Sequence, residues 1–222
     1  MIWYSVYEIG ASSTFETNKE TVANPDSSNV VLEHAEVDLW DSTDQGPVNG
    51  GTVTMNGTPI TPVDYTADSG GYSYILDIAA GQTVPISFSG GPLVFSVSGS
   101  SKFVALTDTT TFPNRDMNVT APGIGATVSK SSGFTINWSN NVGSSQTIVI
   151  RVSGDTTGAV QYITTDNGSL TVPSTDLSAF TTGGRCRVSV SRISYKYTTD
   201  TYGRTYVMAA WTTSTIYHYM VP

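Results

Sequence analysis

The chain has one cysteine, Cys186, so no internal disulfide is open to it. That residue alternates with polar neighbours along an apparent strand, which marks it as a small buried apolar side chain rather than a reactive thiol. Only two histidines are present, His34 and His218. No Cys/His cluster has zinc spacing, no Gly-x-Ser-x-Gly elbow occurs, and no glycine-rich loop joins a strand to a helix. No catalytic residue is assigned, and the chain is expected not to be an enzyme. Charged residues make up 13% of the 222, and the pI is near 4.5 without a basic aromatic stripe. That combination argues against nucleic acid as a partner. No apolar run approaches the length of about 20 residues needed to cross a bilayer as a helix. No signal-peptide pattern is present either. Few charges and many Ser, Thr and Asn suit an exported β protein, so the expected location is outside the cell or at its surface, after removal of a leader.

What is present reads as strands. No window of ten residues combines a 3.6-residue apolar period with helix formers. Phe134, Ile136 and Trp138 alternate with Thr135 and Asn137, and Ile148, Ile150 and Val152 flank Val149 and Arg151. Cys186, Val188 and Val190 alternate with Arg185, Arg187, Ser189 and Ser191. A period of two places one face of each segment on a core. Further alternating runs are Ala35-Val37-Leu39, Val53-Met55, Tyr72 to Ile78, Val84 to Phe88 and Leu93-Phe95-Val97. Asn56-Gly57 is a tight-turn dipeptide, and Phe103 to Leu106 is read as the strand closing the first half. Residues 10–29 read as a polar stretch ending in a turn. The end of the chain reads as a pair, Ser191 to Tyr197 and Tyr206 to Tyr219, turning at Tyr202-Gly203-Arg204.

Several strands separated by turn residues predict an all-β chain of two tandem antiparallel β-sandwiches. The polar, proline-containing run from Thr109 to Asn118 divides it into an acidic domain, residues 1–118, and a second domain, residues 119–222. The first holds 14 acids against Lys19, Lys102 and Arg115, a charge of −11; the second holds four acids against seven bases, +3. Such asymmetry suits electrostatic docking between copies or to a partner, but two solvated faces are the simpler reading.

The second half, with Trp138 in its second strand, Ala-Pro-Gly-Ile-Gly-Ala-Thr-Val (121–128) ahead of it and Asp-Asn-Gly-Ser-Leu-Thr-Val-Pro (166–173) after it, resembles a fibronectin type III or related immunoglobulin-like module. The same segments look like modules of bacterial surface proteins and lipoproteins. The resemblance implies a structural or adhesive role through protein interfaces, possible self-assembly included, but such a fold specifies no function by itself.

Candidate surfaces follow from aromatic and acidic residues. Ile2 to Ile9 is apolar on both faces; its Trp3, Tyr4 and Val6 suit strand addition to a neighbour, or the first strand of their own domain. Trp40 and Trp211 lie opposite the core-facing residues of their strands, where an exposed indole marks a protein interface or a carbohydrate face. Asp38, Asp41 and Asp44 recur at intervals of three near Glu33 and Glu36. Their oxygens could hold Ca²⁺, but the order Asp-x-Asp-x-Asp-Gly is missing and a solvated acidic turn is the simpler reading. No cofactor is therefore expected. An enzyme would need displaced carboxylates, for which Asp64, Asp68 and Asp77 are the available set. A carbohydrate-binding module of an exported protein is the alternative to the structural role.

Overall fold

The structure, a computed structural model, describes residues 13–23, 30–39, 48–64, 71–78, 91–111, 117–139, 143–199 and 205–222. The fold is all-β, with antiparallel sheets and no α-helix among the described residues. The strands are β1 (Ser13–Ala23), β2 (Val30–Leu39), β3 (Val53–Met55), β4 (Thr58–Asp64), β5 (Tyr72–Ile78), β6 (Pro92–Val97) and β7 (Leu106–Thr111). They continue as β8 (Val119–Ala121), β9 (Thr127–Ser129), β10 (Phe134–Trp138), β11 (Gly143–Gly154), β12 (Ala159–Asp166) and β13 (Ser169–Val172). A short 3-10 turn at Ser174–Leu177 precedes β14 (Arg185–Thr199) and β15 (Thr205–Val221).

The chain divides into two compact units that exchange segments. Unit 1 is Met1–Asn18, Glu33–Pro113 and Ser194–Ala210; unit 2 is Lys19–Leu32, Asn114–Ile193 and Trp211–Pro222. Strands β1, β2, β14 and β15 thus contribute residues to both. Counted by unit, 12 acids against 3 bases make unit 1 −9, and 6 against 7 make unit 2 +1.

In unit 1 the strand order β2-β5-β4-β3-β6-β7 is antiparallel throughout. The first residues of β4 pair with β3 and the last with β5. The β3–β4 hairpin turns at Asn56 (φ 48°) and Gly57 (φ 80°), the two left-handed positions that a type I′ turn demands. The Asn56 side chain then accepts a hydrogen bond from Val94 N–H at 2.8 Å, which ties the turn to β6. Ala35, Val37, Leu39, Val53, Met55, Leu93, Phe95 and Val97 are all buried in one core, as their alternation requires. Tyr206, Met208 and Ala210 of β15 complete that core. Tyr74 is buried with them because its hydroxyl is satisfied: it accepts from Gly50 N–H and donates to the Gly51 carbonyl, both at 2.9 Å.

Unit 2 is a β-sandwich. A three-stranded sheet, β13-β10-β8, faces the strands β12-β11-β14-β15 across a core. Strand β9 pairs with β15 in parallel. Ile136 and Trp138 enter the core from one sheet; Ile148, Ile150, Val152, Cys186, Val188 and Val190 enter from the other. The Cys186 thiol is pushed up to about 12 by burial and by the Asp155 charge, so it stays protonated and inert. Gly133 precedes β10 with φ 73°, and a Cβ there would lie 2.3 Å from the Val172 carbonyl oxygen. Only glycine lets the start of β10 lie this close to the end of β13.

Four readings of the sequence change. The polar stretch 10–29 contains an eleven-residue strand, β1. Its larger apolar residues, Phe15 and Val22, fall in opposite phases of a period of two, so the segment has no apolar face to betray a strand. The segments ending at 192 and beginning at 191 are one strand of 15 residues, β14. The strand expected at Phe103 to Leu106 begins only at Leu106; Phe103 is buried from a loop. Val149, expected to face outward, is also buried, whereas Arg151 is exposed. The strands expected at 2–9 and 84–88 and the turn at 202–204 lie outside the described residues.

Candidate functional site

Trp3, Tyr4, Val6, Trp40, Asp41, Asp44 and Asp68 lie outside the described residues, so the structure brings none of them to a site. Trp211 stands half-buried on β15. Asp38 lies on β2 with its carboxylate against β5, where the Ser73 hydroxyl is 2.8 Å from Asp38 Oδ1 and 3.3 Å from Glu36 Oε1. Burial raises the Asp38 pKa and the Glu36 charge adds to it, against the lowering effect of Ser73. Asp64 acts on the Tyr72 hydroxyl, whose pKa it raises. Among the described residues no three His, Cys, Asp or Glu side chains gather as metal ligands.

The most chemically unusual cluster in unit 2 was not foreseen. Arg192 falls on the inward face of β14, in phase with Cys186, Val188 and Val190, and is fully buried. Asp166, at the end of β12, meets it: Asp166 Oδ2 accepts from Arg192 Nε at 2.9 Å and Nη2 at 2.8 Å. The Trp138 indole N–H donates to Asp166 Oδ1 at 2.7 Å. With both carboxylate oxygens engaged, the pair has no exposed face for a substrate, and its role is structural. The phase of Arg192 was the available signal, but an arginine at the end of an apolar run reads first as the point where the strand leaves the core.

His218 on β15 is also fully buried, and among the described residues neither ring nitrogen makes a well-formed hydrogen bond. Desolvation drives its pKa down to about 4, against a smaller opposite effect from the backbone at Gly123 and Ala126. A neutral imidazole without an acidic partner is a poor catalytic base. It does have a consequence for stability. Below its ordinary pKa of about 6.5 the unfolded chain binds a proton that the folded chain refuses until about 4. Stability should therefore fall as pH drops from 6.5 to 4, by on the order of 2–3 kcal/mol, and level off below. Urea titrations at several pH values, with His218→Leu as control, check this: the difference between the two proteins should track that window. A constant difference would mean the imidazole is protonated within the fold.

Three surface features stand out among the described residues. Tyr195 and Tyr197 protrude from β14 within unit 1, 56% and 40% exposed, with ring centroids 5.6 Å apart and planes at 77°. On the opposite face of the same strand, Lys196 and Thr198 both bind Asp108 of β7, Thr198 at 2.6 Å. Burial pushes the Asp108 carboxyl up, but these bonds outweigh it and hold its pKa below the usual value. They fix the β14 segment that displays the tyrosines. In unit 2, Ile163 on β12 is 71% exposed. An open cleft of about 520 Å³ is lined by Lys130, Ser131, Ser174, Thr175, Ser178, Thr182 and Pro222. The Lys130 ammonium donates to the Phe180 carbonyl at 2.8 Å, so it serves the cleft wall. These features offer contact surface and hydroxyls rather than an assembled acid, base and nucleophile. No protein-family model matches the chain, and no curated protein is significantly similar to it.

Proposed function

We propose that the chain is a non-catalytic structural or adhesive protein, displayed outside the cell or at its surface, that acts through protein interfaces. The observation that carries this reading is where the large exposed side chains sit. Of the five large exposed apolar side chains among the described residues, Ile163, Tyr195 and Tyr197 project from regular strands, while Val104 and Ile124 lie in loops. Exposed apolar and aromatic groups on a rigid scaffold suit contact with another macromolecule. Unit 2 further supports an immunoglobulin-like module. Its order β8-β10-β13 opposite β12-β11-β14-β15 parallels the A-B-E and C′-C-F-G arrangement of such sandwiches. Modules of this kind are common spacers and interface carriers, which is a likeness of fold and not of role.

A second reading, carbohydrate binding, is favoured by the tyrosine pair, whose rings offer apolar faces to the C–H side of a pyranose. Light scattering and negative-stain imaging across salt concentrations separate the two. Under the interface reading the purified chain forms discrete assemblies. A chain that stays monomeric at every concentration and is retarded on polysaccharide affinity gels, with the retardation lost in Tyr195→Ala, sinks it in favour of the second.

A further inference from the structure

Strand β12 ends the strand order of its sheet, so one side of it meets no strand among the described residues. Its pairing phase tells which groups that side displays. Residues of β11 and β12 pair where their numbers sum to 312, as in Ile150↔Tyr162. The hydrogen bond from Gly154 N–H to the Gly158 carbonyl belongs to that register. In an antiparallel ladder hydrogen-bonded and non-bonded pairs alternate, so the even residues of β12 bond β11. The N–H and C=O groups of Ala159, Gln161 and Ile163 therefore point away from the sheet. Their side chains, and that of Thr165, are exposed on the outer face, whereas Val160 and Tyr162 pack toward the core. The Tyr162 hydroxyl donates to Asp176 Oδ2 at 2.7 Å, which holds the strand down from the inside.

Such an edge invites another strand unless it is short, charged, bulged or interrupted by proline. The ends of the facing sheet have those protections. Strand β8 has three residues and is followed by Pro122; β13 has four and is followed by Pro173. Ala159–Thr165 has none: seven residues in unbroken register, with no charge and no proline. We propose that β12 is a self-association site, at which a second copy of this chain adds its own β12 antiparallel about a two-fold axis near Tyr162. The inference rests on the interface reading above and names its partner.

The choice of a second copy follows from charge and symmetry. The molecule carries −8, so two copies repel wherever acids face each other, and this strand is a neutral stretch on which they can meet. Antiparallel pairing near Tyr162 sets Gln161 and Ile163 of one copy beside Ile163 and Gln161 of the other. Each aliphatic side chain is then covered by the stem of an amide, and the backbone bonds are satisfied reciprocally, as an isologous contact requires. Because the contact is neutral and the molecules are acidic, screening by salt strengthens it.

Sedimentation velocity of the full chain from about 1 to 100 µM, at low salt and at roughly 0.5 M NaCl, tests this. A dimer that tightens with salt is expected. Ile163→Lys, which sets a charge beside Gln161 of the other copy and two like charges on the diagonal of the seam, should raise its Kd at least tenfold. Gln161→Pro removes an outward N–H without touching the β11 ladder and should do the same. Circular dichroism melts confirm that both variants remain folded. A wild-type chain monomeric throughout overturns the proposal. So does a dimer that survives both substitutions, and that outcome leaves the interface reading standing on another surface.

Discussion

Expressed alone, residues 1–118 are expected to give no cooperative unfolding transition. A cut there follows the composition but severs the core of unit 1, which takes Tyr206, Met208 and Ala210 from β15. Burying the Tyr206 and Met208 side chains contributes roughly 3–6 kcal/mol by area. A domain whose whole stability is about 5–15 kcal/mol does not survive that loss together with the loss of two strand segments. Residues 119–222 alone lack Lys19–Leu32, which belong to unit 2, and Ala23 with them, which packs against its core. Thermal melts followed by near-ultraviolet circular dichroism check this for each half and for the two co-expressed. The co-expressed halves should recover a transition by complementation. A sharp melt of 1–118 by itself would show that the shared strands are dispensable.

The second large effect concerns the buried ion pair. Arg192→Met leaves Asp166 charged inside the core without the guanidinium that neutralises it, while the Trp138 indole still donates to its other oxygen. Removing one partner of a fully buried pair costs about 3–5 kcal/mol, because the remaining charge keeps its desolvation penalty. Much of the stability of the fold should therefore vanish, read as a lower urea midpoint at unchanged slope. Asp166→Leu combined with Arg192→Met removes both charges and should recover a substantial part, since apolar replacement of a buried pair is often close to neutral. A double variant as unstable as the sum of the singles would mean the pair contributes as two independent groups.

Much of the architecture was legible along the chain. Residues 133–138 and 186–190 alternate because each has one face in a core, and period-two burial leaves that imprint on composition; 147–152 follow the same phase except for the buried Val149. Asn56-Gly57 announced its turn because few other dipeptides accept two left-handed residues. Strand β1 was not legible, since Phe15 and Val22 fall in opposite phases of the alternation. The continuity of β14 was missed for a related reason: Arg192 sits at an inward position where a charge looks like the end of a strand. An arginine is tolerated there only because Asp166, 26 residues away in sequence, arrives to pair with it, and spacing along the chain carries no trace of that meeting.

The candidate surfaces divide in the same way. Aromatic content pointed to Trp40 and Trp211, yet Trp211 is half-buried, while the large exposed apolar side chains among the described residues include Ile163, Tyr195 and Tyr197. Exposure depends on which neighbour covers a face, and that is a property of strand order rather than of the residue. By itself, then, the amino-acid sequence determined the all-β class, the one buried thiol and most core faces, because local periodicity and turn chemistry act over a few residues. Tertiary structure alone decided that two units share β1, β2, β14 and β15, that an ion pair lies inside unit 2, and that β12 ends its sheet among the described residues with its polar backbone outward. Each of these depends on which distant strands become neighbours, and a strand carries the same alternation whether it lies at the centre of a sheet or at its edge.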